Sequence, residues 1–144
     1  MKQNFTTLLV EDDEDDVMLF KRAMTMNGLK NPVQVAKDGV EAIDYLQRKK
    51  PYDEIAEYIY PEVIITDINM PRKNGLELLQ WLKDNPVYRV IPTMVLSSTN
   101  NKQEVKQACF LGAAAFIQKP KRFEDFQTLL NRLYQFWCTC EIPE

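Results

Sequence analysis

The chain has 144 residues, with 18 basic and 21 acidic side chains and a formal net charge of -3. This is the usual length of one domain, so residues 1–144 are expected to form a single domain, with a core at about 5–137 and a tail at 138–144. The near balance of charge argues against a nucleic-acid-binding protein, which needs a clearly basic face.

The sequence contains no histidine, and none of its apolar stretches nears the roughly 20 residues that span a bilayer. The first property excludes Ser-His and Cys-His catalytic pairs and prevents this chain from donating a phosphoryl group from its own histidine. The second property, together with a short polar N-terminus, predicts a cytoplasmic protein without membrane contact.

Short apolar runs alternate with amphipathic stretches along the whole chain. In chain order, the pattern predicts strand 5–10, helix 13–27, strand 32–36, helix 38–49, strand 62–66, helix 76–83, strand 93–96, helix 102–111, strand 114–118 and helix 123–137. Residues 48–61 form the one long connection. Five strands separated by helices indicate an α/β fold, a flavodoxin-like doubly wound five-stranded parallel sheet with helices on both faces.

Two of the predicted strands end in carboxylates, which is the most informative feature of the chain. Strand 5–10 is followed by Glu11 and Asp12, and strand 62–66 is followed by Asp67. Ligands of such sheets bind beyond the carboxyl ends of the strands, where the strand order reverses. Like charges gathered there are costly unless a cation joins them. We therefore predict a Mg²⁺ site, because Mg²⁺ prefers oxygen ligands.

Each of these residues has a predicted role in that site. Asp12 and Asp67 are expected to be direct carboxylate ligands, and Asn69 to contribute its backbone carbonyl. Glu11 is expected to act through water or by orienting Asp12. Asp67 is also the predicted nucleophile, because a carboxylate can accept a phosphoryl group as an acyl phosphate.

The remaining acids of this segment have a simpler explanation. Asp13 is predicted to be the N-cap of helix 13–27. Glu14, Asp15 and Asp16 lie in the first turn of that helix, where acidic side chains are stabilised by the helix dipole.

Two further strand ends supply a hydroxyl group and a cation. Ser97 follows strand 93–96 and could bond a phosphoryl oxygen without adding charge; alternatively, it only caps the next helix. Lys119 follows strand 114–118 and could supply a point charge for phosphate oxygens; alternatively, it is an exposed lysine beside a turn proline. The combination of acids, hydroxyl and lysine at four strand ends favours a single site.

With these motifs the sequence resembles the receiver domain of two-component response regulators, from about residue 5 to residue 137. The matching segments are residues 8–13 (LLVEDD), 64–71 (IITDINMP) with Gly75, 92–97 (PTMVLS) and Lys119–Pro120. The resemblance implies that Asp67 is phosphorylated by a sensor histidine kinase in the presence of Mg²⁺. It also implies a phosphoacceptor signalling protein, which is not an enzyme beyond catalysing its own phosphorylation and dephosphorylation.

The same resemblance implies further residue roles. Glu11 would belong to the acidic pair, Ser97 would be the switch hydroxyl, and Phe116 the aromatic side chain that rotates on phosphorylation; a plain core role is the alternative for Phe116. Lys119 would be the phosphate-binding lysine, with a cis Lys119–Pro120 peptide bond. Phosphorylation would then reshape the surface of the fourth helix, fifth strand and fifth helix.

A narrower resemblance is to the single-domain regulators associated with bacterial phytochromes. It rests on the insertion before the third strand, residues 84–86 (DNP), and a long last helix that ends in Phe136 and Trp137 and is followed by Pro143. It implies a light- or redox-sensing histidine kinase as partner, and often a homodimer. The wide apolar face of the last helix, which includes Leu129 and Phe136, is expected to form an interface; alternatively, the insertion covers it.

A chain of 144 residues is expected to lack an output domain, so it would act on a protein target or pass the phosphoryl group to a histidine phosphotransfer protein. Three alternatives remain at this stage. A Mg²⁺-dependent phosphatase of the haloacid dehalogenase type needs a second Asp where this chain has Asn69. A flavodoxin-like FMN carrier would place its phosphate against the acids after the first strand. A phosphorylation-independent interaction module would carry a vestigial site.

Overall fold

The computed structural model describes residues 4–141. The expected Pro143 and the end of the predicted tail lie outside this range. The elements are β1 Thr7–Val10, α1 Glu14–Met26, β2 Val33–Ala36, α2 Gly39–Leu46, a short 3-10 turn Tyr52–Glu54, β3 Val63–Thr66, α3 Gly75–Asp84, β4 Thr93–Ser97, α4 Lys102–Phe110, β5 Ala115–Gln118 and α5 Phe123–Thr139. The strands form one parallel sheet in the order β2-β1-β3-β4-β5, which confirms the predicted fold.

The strand register brings the predicted site residues to the same edge of the sheet. Val10 pairs with Thr66, so Glu11 and Asp67, the residues that follow them, leave the sheet side by side. Ser97 pairs with Gln118, which places Lys119 directly after the partner of Ser97. Parallel strands have their carboxyl ends at one edge, and the reversal of strand order lies at β1 and β3.

Two apolar layers cover the sheet. The side chains of α1 and α5 pack on one face, and those of α2 and α3 pack on the other. The insertion after α2, which is the long connection of residues 48–61, belongs to the second layer, where Tyr52 and Tyr58 pack beside Tyr45. The insertion therefore does not cover α5, so that alternative is wrong. Within α5, Tyr134 is buried, whereas its neighbour Leu133 is only partly buried.

The helix ends follow local chemistry. Asp13 and Asp38 accept hydrogen bonds from backbone amides in the first turns of α1 and α2, which confirms the predicted capping role of Asp13. Asn101 caps α4 in the same way, so the reading of Ser97 as a helix cap is wrong. Helix α2 ends at Leu46, three residues before the predicted end, because Arg48 adopts a left-handed conformation with φ of 54°.

The expected cis Lys119–Pro120 peptide bond is wrong. Among the described residues, Lys50–Pro51 is the one cis peptide bond, and trans is the intrinsically favoured form of X-Pro bonds.

Between residues 4 and 141, none of the helices combines the length and the apolar content that crossing a bilayer requires.

Candidate functional site

Asp67 is held rigidly at the end of β3. Its backbone N–H donates to the carbonyl of Val10 at 3.1 Å, which continues the sheet pairing by one residue. One carboxylate oxygen, Oδ1, accepts from the backbone N–H of Ile68 at 2.6 Å. The other oxygen, Oδ2, lies 3.3 Å from Nζ of Lys119. The residue is only 9% exposed, so both carboxylate oxygens are held in a largely buried setting.

Gly75 allows the loop after Asp67 to close tightly. Its N–H donates to the carbonyl of Ile68 at 2.9 Å, and a Cβ atom at this position would lie 2.1 Å from the carbonyl oxygen of Asp67. No side chain fits in that gap, so glycine is required where α3 begins against the backbone of Asp67. Gly75, which belongs to the matching motif in the sequence, therefore has a packing role at the site.

Lys119 is the centre of the site. Its Nζ lies 2.6 Å from Oε1 of Glu11, 3.1 Å from Oδ2 of Asp16 and 3.3 Å from Oδ2 of Asp67. Its backbone N–H donates to the carbonyl of Ser97 at 2.7 Å, which fixes where the side chain starts. The side chain is 16% exposed, so the alternative of an exposed lysine beside a proline is wrong.

The electrostatics of the site follow from burial. Burial raises the pKa of Glu11 from 4.5 to about 7, because the hydrogen bond and charge of Lys119 offset only part of the desolvation cost. Burial alone would lower the pKa of Lys119, but its hydrogen bond to Glu11 and the negative charge of Asp67 outweigh that effect and raise it. Lys119 therefore stays protonated, and burial disfavours the charged form of Glu11.

A cavity of about 110 Å³ adjoins these charged groups. Its walls combine Glu11, Asp67 and Lys119 with apolar side chains of both the sheet and the helices. The apolar part is formed by Leu9, Leu19, Phe20, Ile65, Leu96, Phe123 and Phe126. This lining excludes water from one side of the carboxylates and accounts for the high desolvation cost of Glu11.

Asp16 is the site residue that sequence reasoning missed. It was assigned only to the helix dipole, yet its carboxylate pairs with Lys119. Asp16 lies in the first turn of α1, three residues after the N-cap Asp13, and its side chain reaches Lys119 at the strand ends. That spacing was the available signal, but acids in a first helical turn need no partner, and the pairing depends on where β5 places Lys119.

The predicted metal ligands are only partly assembled. Glu11 and Asp67 face one another across the Lys119 ammonium, whereas Asp12 and Asn69 are exposed at the rim. Within residues 4–141, no three acidic or thiol side chains already form a cluster that could hold a metal ion. The donor chemistry nevertheless fits Mg²⁺, because two buried carboxylates already share a cation and two further oxygen donors lie on adjacent loops.

The two predicted switch residues lie on β4 and β5. Ser97 is fully buried at the end of β4, and its Oγ accepts from the backbone N–H of Thr99 at 3.4 Å. Phe116 is half-buried and packs against an apolar cluster whose buried members include Val95 of β4 and Ala108 of α4.

Four strand ends bring a buried aspartate, a buried glutamate, a buried serine and a lysine to one edge of the sheet, which is the arrangement of a receiver domain. Residues 7–131 match the model of the response regulator receiver domain, so the chain belongs to this family, whose members are signalling phosphoacceptors and not classical enzymes. This membership sets it apart from haloacid dehalogenase phosphatases and FMN carriers.

Several of the similar solved structures are response regulators associated with phytochromes. The response regulator Rcp1 of Synechocystis is 28% identical over 130 residues, which cover 90% of this chain and 86% of that protein. The solved structure of the phosphorylated cyanobacterial phytochrome response regulator RcpA has a TM-score of 0.88 at 27% identity, covering 98% of this chain and 99% of that one. The Mn²⁺-bound form of Rcp1 has a TM-score of 0.86 at 27% identity, covering 97% and 99%. The expected resemblance to phytochrome-associated regulators is confirmed.

Proposed function

We propose that this protein is a response regulator receiver that accepts a phosphoryl group on Asp67 from a sensor histidine kinase. The observation that carries the proposal is the position of Asp67 Oδ2, which is 3.3 Å from the Lys119 ammonium while Oδ1 is held by a backbone amide. One oxygen is thus fixed, and the other is free to attack beside a cation. A carboxylate in this setting can become an acyl phosphate.

In the reaction, Oδ2 of Asp67 forms a bond to phosphorus while the bond from phosphorus to the donor's histidine nitrogen breaks. Lys119, which now neutralises Glu11, Asp16 and Asp67, would bind a phosphoryl oxygen as charge builds up there. Mg²⁺, when bound, supplies further neutralisation of phosphoryl charge. Glu11, Asp12 and Asp67 and the backbone carbonyl of Asn69 would hold it, in agreement with the Mn²⁺ bound by Rcp1.

The response would pass through Ser97 and Phe116. Ser97 would exchange its contact with the Thr99 amide for a phosphoryl oxygen, and Phe116 would turn into the space that this opens. The supporting observation is that Ser97 and Phe116 lie on paired strands, and that Phe116 packs against α4. The α4-β5-α5 surface would shift between two packings, with the phosphoryl charge favouring one of them.

The partners follow from the relatives and from the absence of histidine. The phytochrome regulators among the relatives support a phytochrome-type kinase as the donor. The output would be a protein target or onward transfer to a histidine phosphotransfer protein. We place this exchange in the cytoplasm, without direct contact with nucleic acid or membrane.

The test is incubation with acetyl phosphate and Mg²⁺, followed by intact mass measurement. The wild type should gain the mass of one phosphoryl group, and Asp67→Asn should gain none. Asp53→Asn, which alters an exposed carboxylate of the insertion, is the matched control and should behave as the wild type. An unmodified wild type would refute the proposal and favour the phosphorylation-independent module.

We further propose that the protein forms a homodimer through α5. Phe136 is 63% exposed on this helix although its neighbours Trp137 and Leu133 pack into the core. Phe136→Ser should therefore lower the molar mass measured by light scattering. Phe110→Ser changes a phenylalanine that is 77% exposed on α4, and it should leave the mass unchanged.

A further inference from the structure

Two loops beside the site are tied together by an ion pair that the phosphoacceptor chemistry does not use. Arg72, in the loop between β3 and α3, places Nε 2.7 Å from Oδ2 of Asp38 and Nη2 3.2 Å from Oδ1. Asp38 lies in the loop between β2 and α2. Next to this pair, the N–H of Gly39 donates to the carbonyl of Lys73 at 2.8 Å. We call these contacts the loop clamp.

The loop clamp spans the strand end that carries the acidic pair. In the sheet order, β1 lies between β2 and β3, so a contact between the loops after β2 and β3 crosses the end of β1. Glu11 and Asp12 follow β1 directly. The loop held by Arg72 also carries Asn69, three residues before it. The clamp thus ties the proposed carbonyl donor to the part of the fold that surrounds the proposed carboxylate ligands.

The clamp differs from an ordinary surface ion pair, which contributes little. The Asp38 side chain is only 5% exposed, although that of Arg72 is 55% exposed. Both carboxylate oxygens are engaged by one planar guanidinium, the geometry that gives such pairs their strength and direction. Oδ1 of Asp38 also accepts from the N–H of Glu41 as the cap of α2, so the clamp is anchored to a helix.

The backbone shows that the clamp imposes a conformation. Arg72 has φ of 61°, in the left-handed region that a residue with a Cβ enters only at a cost in free energy. A Cβ atom on Gly39 would lie 2.6 Å from the carbonyl oxygen of Lys73, so the two loops touch backbone to backbone. A costly conformation that is held by a bidentate pair and a close backbone contact indicates a loop whose shape is needed.

We propose that Arg72 is a positioning residue of the cation site, which rests on the proposed function above. It does not touch the cation. Through Asp38, it holds the loop from residue 68 to residue 74 in place before the cation arrives, so that the carbonyl of Asn69 need not be ordered on binding. Residues that orient metal ligands without binding the metal themselves increase metal affinity.

The test measures Mg²⁺ affinity by isothermal titration calorimetry and amide hydrogen exchange in the metal-free protein. Arg72→Gly removes the guanidinium but suits the left-handed backbone, so it should fold. It should raise the Kd for Mg²⁺ by about tenfold, which is the smaller effect expected when a residue that orients a metal ligand is removed. It should also speed exchange at the Gly39 amide. Arg48→Gly is the matched control, because Arg48 also has positive φ but lies in the insertion; its Kd should equal that of the wild type.

A double-mutant cycle separates positioning from general stability. Asp38→Asn keeps a capping oxygen for α2 and removes the carboxylate that binds Arg72 through both oxygens, leaving only the longer 3.8 Å contact between Nη2 of Arg72 and Oε2 of Glu41. If both residues act through the clamp, the variant with both changes should lose no more Mg²⁺ affinity than either single variant. Unchanged Mg²⁺ affinity in Arg72→Gly, or fully additive losses in the cycle, overturns the inference. A wild type that binds no Mg²⁺ at all refutes the proposed cation site itself, a result seen before any variant is compared.

Discussion

Replacing Glu11 with glutamine should stabilise the protein at alkaline pH, although it removes an ion pair. Glu11 is 4% exposed and lies 2.6 Å from Lys119, yet burial raises its pKa to about 7. A raised pKa means that the native state favours the protonated, neutral carboxyl group. Glutamine resembles that neutral form in size and hydrogen bonding, and it leaves Lys119 with two other carboxylates, Asp16 and Asp67.

The size of the effect follows from the pKa. A rise from 4.5 in the unfolded chain to about 7 in the native state corresponds to roughly 3 kcal/mol. Between these two values the native state still holds a proton that the unfolded state has released, so the free energy of unfolding of the wild type falls as the pH rises. The glutamine variant lacks this loss. The advantage of Glu11→Gln should therefore grow by about 2–3 kcal/mol between pH 5 and pH 8.

Urea denaturation at pH 5, 6, 7 and 8 without divalent cations measures this difference directly. Glu57→Gln, a change at an exposed carboxylate in the insertion, is the control and should run parallel to the wild type. Added Mg²⁺ should narrow the gap at pH 8, because the wild type gains a counter-ion that the variant binds less well. A difference between Glu11→Gln and wild type that does not change with pH would refute the reasoning.

Three further predictions concern other contacts. Lys119→Met should lower the free energy of unfolding at pH 8 by about 3–5 kcal/mol, because it leaves buried carboxylates without a cation. The loss should be smaller at pH 5, where Glu11 is protonated. Urea denaturation at both pH values checks this. Gly75→Ala places a Cβ 2.1 Å from the carbonyl of Asp67, so it should cost about 1–3 kcal/mol in thermal denaturation and slow acetyl phosphate labelling. Tyr134→Phe removes the buried 2.8 Å hydrogen bond to Oγ1 of Thr7, and should cost about 1–3 kcal/mol in urea without changing labelling.

Local chemistry made the element order predictable. Apolar runs of four to six residues alternate with helix-period stretches, and Asp13, Asp38 and the glycines at 28 and 112 mark helix ends. Because carboxyl ends of parallel strands share one edge, that order also places the residues after β1, β3, β4 and β5 together. It could therefore be predicted from the sequence that one edge of the sheet carries Glu11, Asp67, Ser97 and Lys119.

The contacts between distant segments were decided only by the tertiary structure. Asp16 pairs with Lys119, and Arg72 with Asp38, across chain separations that no local pattern encodes. Which tyrosine or leucine of α5 is buried depends on the rotation of that helix on the sheet, and a small rotation exchanges neighbours such as Leu133 and Tyr134. Residue types and periodicity determined the fold and the site's location, whereas three-dimensional packing decided which charges meet, because Coulomb and hydrogen-bond energies depend on separations of a few ångströms.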